Sequence, residues 1–261
     1  MKKIFIATGK ISTAKFTAAK EKIVRALRLS GCLVTHPAQA DLILVLGGDG
    51  TMLKAIGRYR VNNVPFCGLN FGHIGFLMNE YDFSILDAIV SNQLYYINVP
   101  LLQAKLYNQH NKKIGLTYAF NDFYLERIST NTAKIKISVN KTVYLNPLIA
   151  DGVIVSSAAG STGYNASAGG VMLPFETNSL QVAGICPAIF HQWRSSLLSA
   201  DSQVTIEARE LEKRPVRLVG DGVEIQDTVK AKISYSNQHV SLAFVHNQNF
   251  RKKVMDLQFR K

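Results

Sequence analysis

The sequence predicts an α/β amino-terminal domain with a parallel sheet, followed by a β-rich carboxyl-terminal domain. The first hundred residues alternate apolar runs with helix-like stretches in β-α-β-α-β order, which is typical of a parallel sheet covered by helices. After about Pro100 the pattern changes to short, partly alternating runs rich in Val, Ile, Tyr and Thr. We therefore expect an α/β domain at 1–99 and a β-rich domain at 100–245, with the tail 246–261 returning to the first domain.

The elements of the first domain follow from its residue patterns. A β-branched run, KIFIAT, precedes FTAAKEKIVRALRLSG, which has apolar residues at helical spacing and a stop at Gly31. DLILVL is continuously apolar, as expected for a strand buried on both faces. TMLKAIGRYR is a predicted helix capped by Thr51, and VPFCGLN is the next strand. The functional loops of such a sheet lie at the carboxyl ends of its strands.

The second domain is predicted from a series of strand-like runs. They are LLQAKLYN, LTYAFNDFYLER, AKIKISVN, KTVYLNPLIADGVIVS, QVTIEA, VRLVGDGVEI and KAKISYS. The basic tail FRKKVMDLQFRK is interpreted as a helix with a solvated face in preference to a nucleic-acid patch.

Composition and charge narrow the class of partner. The formal net charge of +12 favours nucleic acid, an anionic membrane surface or phosphorylated small molecules. Cys32, Cys67 and Cys186 are far apart, so neither a disulfide framework nor a zinc site is expected. The apolar stretch near the start is too short for a signal peptide, and no run has the length of a membrane span. We expect a cytoplasmic protein.

The stretch GGDGT, residues 47–51, places a carboxylate inside a glycine-rich turn after a buried strand. Such a turn normally suits a phosphate, which a carboxylate would repel. Asp49 could accept a proton from a hydroxyl that attacks a phosphoryl group, help to hold magnesium, or merely stabilise the turn. These alternatives stay open from the residues alone.

Two further stretches contain residues suited to a nucleotide. GLNFGHIGFL, residues 68–77, also follows a strand, and His73 could reach a phosphate or pack at the base of the loop. Asn121 and Asp122 lie in a strand-like run and suit the hydroxyls of a ribose and the edge of a base, although a bulge or turn is the alternative.

The stretch ADGVIVSSAAGSTGYNASAGG, residues 150–170, joins an apolar strand to a loop of small and hydroxyl-bearing residues. So many small residues together indicate that a ligand or another backbone approaches closely, whereas the adjacent strand argues against a flexible linker. The sequence contains neither the dinucleotide-binding G-x-G-x-x-G nor the P-loop motif. An ordinary Rossmann dehydrogenase or P-loop enzyme is therefore not expected.

Taken together, GGDGTML, NFGHIGFL, FNDFYLE, DGVIVSSAAGSTGYNASAGG and GICP resemble the NAD kinase family, in the same order and at similar spacing over nearly the whole chain. The glycine–aspartate motif is shared with diacylglycerol and sphingosine kinases, while the later motifs point to the NAD branch. The resemblance implies an NAD kinase-like fold. It also implies transfer of the terminal phosphoryl group of ATP, or of polyphosphate, to the 2′-hydroxyl of the adenosine ribose of NAD, with Mg²⁺ accompanying ATP and no tightly bound cofactor.

The resemblance also implies roles for individual residues. Asp49 is the expected proton acceptor. The donor phosphates are expected at Gly47, Gly48, Gly50, Thr51, Gly72 and His73. The NAD-binding residues are expected to be Asn121, Asp122, Asp151, Gly160, Ser161, Thr162, Tyr164 and Ser167. Asp151 matches an acid that reaches the nicotinamide end, in many members from a neighbouring subunit, so a homodimer or homotetramer is implied.

The chain departs from the family pattern at several positions. Ser157, Ala158 and Ala159 stand where the family usually has Thr-Pro-Thr, Gly163 replaces Ala, and Asp122 replaces the common Glu. The segment AIFHQWRSS after GICP lacks the usual His and Arg-Pro pair. The segment after GICP is the most divergent, so the nicotinamide end departs most from the family pattern, whereas the phosphoryl-transfer core is intact.

Two rival interpretations remain at this stage. A lipid kinase could share the GGDGT loop, but it would need an apolar surface or amphipathic helix for its lipid, and no strong candidate is present. A nucleotide-sensing or nucleic-acid-binding protein could retain the pocket without the chemistry, but Asp49 is kept and no RRM, KH or helix-turn-helix signature is found. We therefore expect neither a nucleic-acid nor a membrane partner.

Overall fold

The computed structural model describes residues 2–11, 13–188 and 193–259. Contacts within the chain divide it into a first unit, Met1–Val99 with His239–Asn249, and a second unit, Pro100–Gln238 with Phe250–Lys261. The strands and helices are β1 Ile4–Thr8, α1 Ala14–Leu29, β2 Leu33–Val34, β3 Leu42–Gly47, α2 Asp49–Tyr59, β4 Phe66–Asn70, β5 Asn79–Glu80, α3 Ile85–Val90, β6 Tyr95–Tyr107, β7 Lys113–Ala119, β8 Asp122–Arg127, β9 Ala133–Val139, β10 Thr142–Ala150, β11 Gly152–Ser156, α4 Tyr164–Ser167, β12 Ser179–Ile185, β13 Ser195–Ser199, β14 Val204–Arg209, β15 Val216–Gly220, β16 Val223–Ile225, β17 Lys230–Phe244 and α5 Phe250–Gln258.

The first unit contains the predicted parallel sheet. Its strands follow the order β2-β1-β3-β4, and all three pairings are parallel. Every residue of β3 is buried, which explains why this strand is apolar throughout. Helix α1 covers the sheet with Phe16, Ala19, Ile23 and Leu27, which share one helical face. The last residues of β17 add a further parallel pairing, with β4.

The expected cap of the second helix is wrong. Helix α2 begins at Asp49 after Gly48, and no side chain caps it. Thr51 lies in the first turn, where its Oγ1 would be 2.4 Å from a Cβ on Gly47. Gly47 and Gly48 allow a sharp turn from β3 into α2, so the helix begins two residues before Thr51, the expected capping residue.

The second unit is β-rich, as predicted. One sheet has antiparallel β10, β9, β14 and the start of β17 side by side, and the other has the order β13-β12-β11-β8-β15-β16. Alternate side chains of both sheets point into one core, because successive side chains of a strand face opposite ways. The core includes Phe123, Leu125, Val153, Val155, Ile135, Ile137, Val204 and Ile206.

Three of the strand-like runs are each divided into two strands. LTYAFNDFYLER is interrupted at residues 120–121, KTVYLNPLIADGVIVS at Asp151, and VRLVGDGVEI at Asp221–Gly222. Asp221 and Gly222 both have positive φ, 47° and 78°, which is the geometry of a tight hairpin turn. This last interruption joins two paired strands, β15 and β16, whereas β7 and β8 lie in different sheets, as do β10 and β11.

The tail divides differently from the sequence expectation. Residues 239–249 group with the first unit, whereas Phe250–Lys261 group with the second unit. Helix α5 buries Phe250 and Val254, and the ring of Phe250 stacks on Phe175 at 4.3 Å. Burial of one apolar helical face therefore decides where this basic segment packs.

The remaining structural expectations concern membrane spans and cysteines. Among the helices of the described residues, none has the length and hydropathy that a bilayer crossing requires. Cys32, Cys67 and Cys186 are free thiols, the first two of them buried. Burial raises the pKa of Cys67 to about 12, so this thiol stays protonated at neutral pH.

Candidate active site

Asp49 lies in the first turn of α2, directly after the buried strand β3. Its Oδ2 accepts a hydrogen bond from the backbone N–H of Phe76 at 2.9 Å, and its Oδ1 accepts one from Leu77 at 2.8 Å. The carboxylate therefore holds the second glycine-rich stretch in place. Each oxygen has a further lone pair, so the same carboxylate can accept another hydrogen bond.

The two glycine-rich loops of the first unit meet at the carboxyl edge of the parallel sheet. A Cβ placed on Gly72 would lie 3.2 Å from the Cα of Gly48, so neither position leaves room for a bulky side chain. Asn70, which sequence reasoning missed, accepts a hydrogen bond from the N–H of Gly72 at 2.9 Å through its Oδ1. A Cβ on Gly75 would collide with the Asn70 amide. The close approach explains why glycines recur in both loops.

Other predicted donor-loop residues surround this edge. His73 is exposed, so the alternative of a histidine packed at the base of the loop does not hold. Gly50 is also exposed, and no atom lies within 4 Å of a Cβ built on it. The start of α2 adds main-chain N–H groups that lack a partner within the helix, which is an arrangement suited to an anion.

In the second unit, Asn121 and Asp122 lie where the chain enters β8. The Oδ1 of Asn121 is buried, and within the described ranges it has no hydrogen-bond partner. Asp122 is 5% exposed. Burial and, to a lesser extent, the negative charge of Asp221 raise the pKa of Asp122 to about 7. The pair therefore offers a vacant acceptor and a carboxyl group that titrates near neutral pH.

Asp221 holds this pair in place, although sequence reasoning missed it. Its Oδ2 accepts from the N–H of Phe120 at 2.6 Å, and its Oδ1 accepts from Asn121 at 2.8 Å and from Asp122 at 3.4 Å. The Asp221 N–H in turn donates to the carbonyl of Asp122 at 3.2 Å. The sequence signal that could have located this turn is the Asp221-Gly222 pair between two apolar runs, since Asp-Gly favours a hairpin turn.

The loop after β11 packs tightly against the same strand entry. A Cβ on Gly160 would lie 2.3 Å from the carbonyl oxygen of Asn121, so only glycine fits there. The Ser157 hydroxyl donates to the carbonyl of Phe120 at 2.8 Å. Ser161 is fully buried, and its hydroxyl bonds the backbone of Ala158 and Leu173. The small residues of this loop thus serve close packing.

The side chains of the following turn are more accessible. Thr162 is partly exposed, and Tyr164 and Ser167 are exposed. The ring of Tyr164 meets that of Tyr124 edge to face, with centroids 5.1 Å apart. Tyr124 was also missed, because its strand position suggested only core packing. Thr162 ends a short helical turn, and Tyr164 and Ser167 bound the four-residue helix α4 that follows.

Asp151 lies between β10 and β11 and forms an ion pair with a side chain of β8. Its Oδ1 is 2.5 Å from Nε of Arg127, and both side chains are about one-third exposed. A second contact joins Asp151 Oδ2 to the same guanidinium group at 3.4 Å. The segment 186–198, which departs most from the family pattern, includes residues 189–192, and these four lie outside the described residues.

Comparisons with known proteins identify the family. Residues 8–93 match the family described as the ATP-NAD kinase N-terminal domain, and residues 120–245 match the ATP-NAD kinase C-terminal domain. The chain is 34% identical over 222 residues to the NAD kinase of Rickettsia typhi, covering 84% of this chain and 86% of that protein. It is 33% identical over 223 residues to the NAD kinase of Xylella fastidiosa, covering 85% of each.

Solved structures show the same fold. A yeast NADH kinase complexed with NADH superposes with a TM-score of 0.82 at 21% identity, over 100% of this chain and 89% of the other. An NAD kinase from Archaeoglobus fulgidus in complex with ATP superposes with a TM-score of 0.72 at 19% identity, over 97% and 98% of the two chains.

Fold, site and relatives define a phosphotransferase with an alcohol acceptor. The chain belongs to the NAD kinase family. The predicted family and the predicted NAD kinase-like fold are both confirmed, and this family is favoured over the lipid kinases that share the glycine–aspartate loop.

Proposed function

We propose that this protein transfers the terminal phosphoryl group of ATP to the 2′-hydroxyl of the adenosine ribose of NAD, producing NADP. The observation that carries the proposal is the Asp49 carboxylate, fixed by two backbone amides among the glycine loops. Solved relatives with NADH and with ATP support the two substrate classes. Inorganic polyphosphate is the alternative donor, because it presents the same phosphate chemistry.

Asp49 would accept the proton of the attacking hydroxyl. A ribose hydroxyl is much less acidic than a carboxylic acid, so the proton would move late, as the new phosphorus–oxygen bond forms. The hydrogen bonds from Phe76 and Leu77 fix the direction of the carboxylate and reduce the reorganisation needed at that moment. Positioning of the reactants, rather than base strength, would then supply most of the acceleration.

The donor phosphates would bind at the glycine loops and the start of α2. Gly48, Gly50 and Gly72 leave the backbone accessible, and Gly47 is buried directly before them at the end of β3. His73 and Thr51 add polar side chains nearby. Magnesium would enter as the complex with ATP and screen the charge between the phosphates and Asp49. Among the described residues, no group of three or more His, Cys, Asp or Glu could hold a metal by itself.

NAD would bind to the second unit. The unpartnered Oδ1 of Asn121 would accept a hydrogen bond from the nucleotide, and Asp122 would bind ribose hydroxyls. Thr162, Tyr164 and Ser167 would contact the adenine end, with Gly160 and Ser161 shaping the loop. Asp151 would act at the nicotinamide end. We also propose that the protein is cytoplasmic and forms a homodimer or homotetramer. Light scattering of the purified protein would test the oligomeric state.

The deciding experiment is NADP formation from NAD, ATP and magnesium, with ADP release as an independent count. Asp49→Asn keeps the shape of the side chain and removes the base. The matched control is Asp82→Asn, because Asp82 lies in the same unit and accepts a backbone hydrogen bond, from Ser84 at 3.0 Å. Polyphosphate replaces ATP in a parallel reaction, and a chelator removes magnesium in another.

Activity that falls by at least about 100-fold in Asp49→Asn, and is retained in Asp82→Asn, would support the proposal. NAD binding by calorimetry should persist in both variants. A wild-type protein that binds NAD but makes no NADP with either donor would refute the kinase proposal and leave a nucleotide-binding protein.

A further inference from the structure

The three successive backbone N–H groups of residues 120–122 converge on one carboxylate. Asp221 receives all three at distances of 2.6, 2.8 and 3.4 Å. Successive backbone amides that point inward form a natural anion site, and here a side chain of the protein fills it. The backbone orientation of Asn121 and Asp122 is therefore fixed by Asp221, a residue about one hundred positions later in the chain.

The hairpin that carries Asp221 is itself rigidly placed. Strand β15 pairs with β8, with Gly220 opposite Phe123 and Val219 opposite Tyr124. A Cβ on Gly220 would lie 2.6 Å from the Phe123 ring, so the hairpin is packed directly onto β8. Asp221 and Gly222, both at positive φ, form the turn, and Asp tolerates this conformation better than most residues.

The geometry points to Asp221 as a positioning residue for nucleotide binding, which holds the Asn121–Asp122 pair in the orientation that the acceptor nucleotide requires. This inference rests on the proposed function, since it assumes that NAD is the nucleotide. Asp221 directs its carboxylate at three backbone amides, so its effect on the ligand passes through Asn121 and Asp122. The Oδ1 of Asn121 is left buried without a partner within the described ranges, as expected of an acceptor held ready for a ligand.

Two substitutions separate the carboxylate from the turn that carries it. Asp221→Asn keeps the shape and suits the same turn, because Asn-Gly is favoured there, but it removes the charge and one acceptor oxygen. Asp221→Gly also suits positive φ and removes the side chain altogether. The control is Asn108→Ala in the same unit, because Asn108 Oδ1 likewise accepts two backbone N–H groups, from His110 and Lys112, in a turn that carries no proposed ligand contact.

The measurement is the steady-state KM for NAD and for ATP together with kcat, supported by calorimetric binding of NAD and a thermal melt of each variant. We expect Asp221→Gly to raise KM for NAD by about tenfold or more and Asp221→Asn by a smaller factor, because hydrogen bonds to a charged group are the stronger ones. KM for ATP should change by less than about twofold, and Asn108→Ala should change neither constant.

A KM for NAD that stays within about twofold of wild type in both Asp221 variants would overturn the inference. So would an equal rise in KM for NAD and for ATP, which would indicate a general loss of structure. If Asp221→Gly fails to fold, Asp221→Asn decides. A wild-type protein without kinase activity would refute the proposed function alone, and NAD affinity measured by calorimetry would still test Asp221.

Discussion

A carboxylate organises the backbone in both units, but the two units use it differently. In the first unit, Asp49 accepts hydrogen bonds from Phe76 and Leu77 and is also the residue proposed to react. In the second unit, Asp221 accepts the backbone hydrogen bonds, while Asn121 and Asp122 are the residues proposed to bind the ligand. In the first unit, one residue, Asp49, both fixes the backbone and is proposed to react. In the second unit, Asp221 fixes the backbone, and two other residues, Asn121 and Asp122, are proposed to bind the nucleotide.

This difference determines how substitutions should be interpreted. A change at Asp49 affects the chemistry and the loop together, so loss of activity alone does not distinguish them. A change at Asp221 alters the backbone contacts of residues 120–122 and the charge beside Asp122, and should appear in the affinity for one substrate. The structural and chemical roles of a carboxylate are therefore separable where a second acid takes over the backbone contacts.

The largest expected effect is at Asp49. Asp49→Ala should abolish activity and also lower the free energy of unfolding by about 1–3 kcal/mol, because two part-buried N–H groups lose their acceptors. Asp49→Asn should be as inactive but closer to wild type in stability, since its amide oxygen can still accept. Urea unfolding and kcat measured on both variants check this. Equal stability of the two variants would show that the backbone contacts contribute little.

The next effect concerns the stability of the second unit as a function of pH. Asp122 has a folded-state pKa of about 7, whereas an unfolded Asp ionises near pH 4. Folding therefore takes up a proton between these values, and the free energy of unfolding falls as pH rises from about 4 to 7 and stays lowered above. Asp122→Asn removes this dependence, so its stability relative to wild type should improve by about 2–4 kcal/mol between pH 4 and 8.

Chemical denaturation at several pH values checks the Asp122 prediction, with Asp227→Asn, a change at an exposed acid of the same unit, as control. A difference between Asp122→Asn and wild type that is constant over this range would contradict it.

A smaller effect is expected where a loop of the second unit approaches Asn121. Gly160→Ala would place a methyl group 2.3 Å from the Asn121 carbonyl oxygen, and the resulting displacement should cost about 1–3 kcal/mol and raise KM for NAD. Gly115→Ala is the control, because its Cβ would meet only Leu106 Cδ1, at 3.5 Å. A Gly160→Ala protein with wild-type melting temperature and KM would show that the backbone at Asn121 shifts at little energetic cost.

The smallest effect is expected for the ion pair between Arg127 and Asp151. Both side chains are about one-third exposed, and water screens such pairs, so Arg127→Gln should lower the free energy of unfolding only slightly. Thermal melts at low and high salt measure this. A loss as large as that of Asp221→Gly would mean that carboxylates paired with side chains hold this unit as firmly as those paired with backbone amides.

Local patterns predicted the loops of the first unit well. GGDGT and NFGHIGFL follow apolar strands, and parallel strands bring such loops to one edge of the sheet, where Gly48 and Gly72 meet. The start of α2 was missed by two residues because capping preferences outweighed the freedom of the glycines. The contact of Asp49 with Phe76 and Leu77 was not predicted, because it depends on how the second loop folds back.

The second unit was less predictable. Alternation identified its strands but did not separate hairpin partners, since both strands of a hairpin carry the same pattern. Asp221 was absent from the predicted site for this reason. It meets residues 120–122 only through the pairing of β15 with β8, about one hundred residues apart in the chain.

By itself, the sequence determined the family, the parallel first unit, the β-rich second unit and the residue types of the site, because these depend on local spacing and composition. Only the tertiary structure decided that Asp49 holds a neighbouring loop, that Asp122 is buried beside Asp221, and that α5 packs on Phe175. Hydrogen bonding and burial depend on which strands pair across long stretches of chain. That pairing is settled by the packing of the whole core.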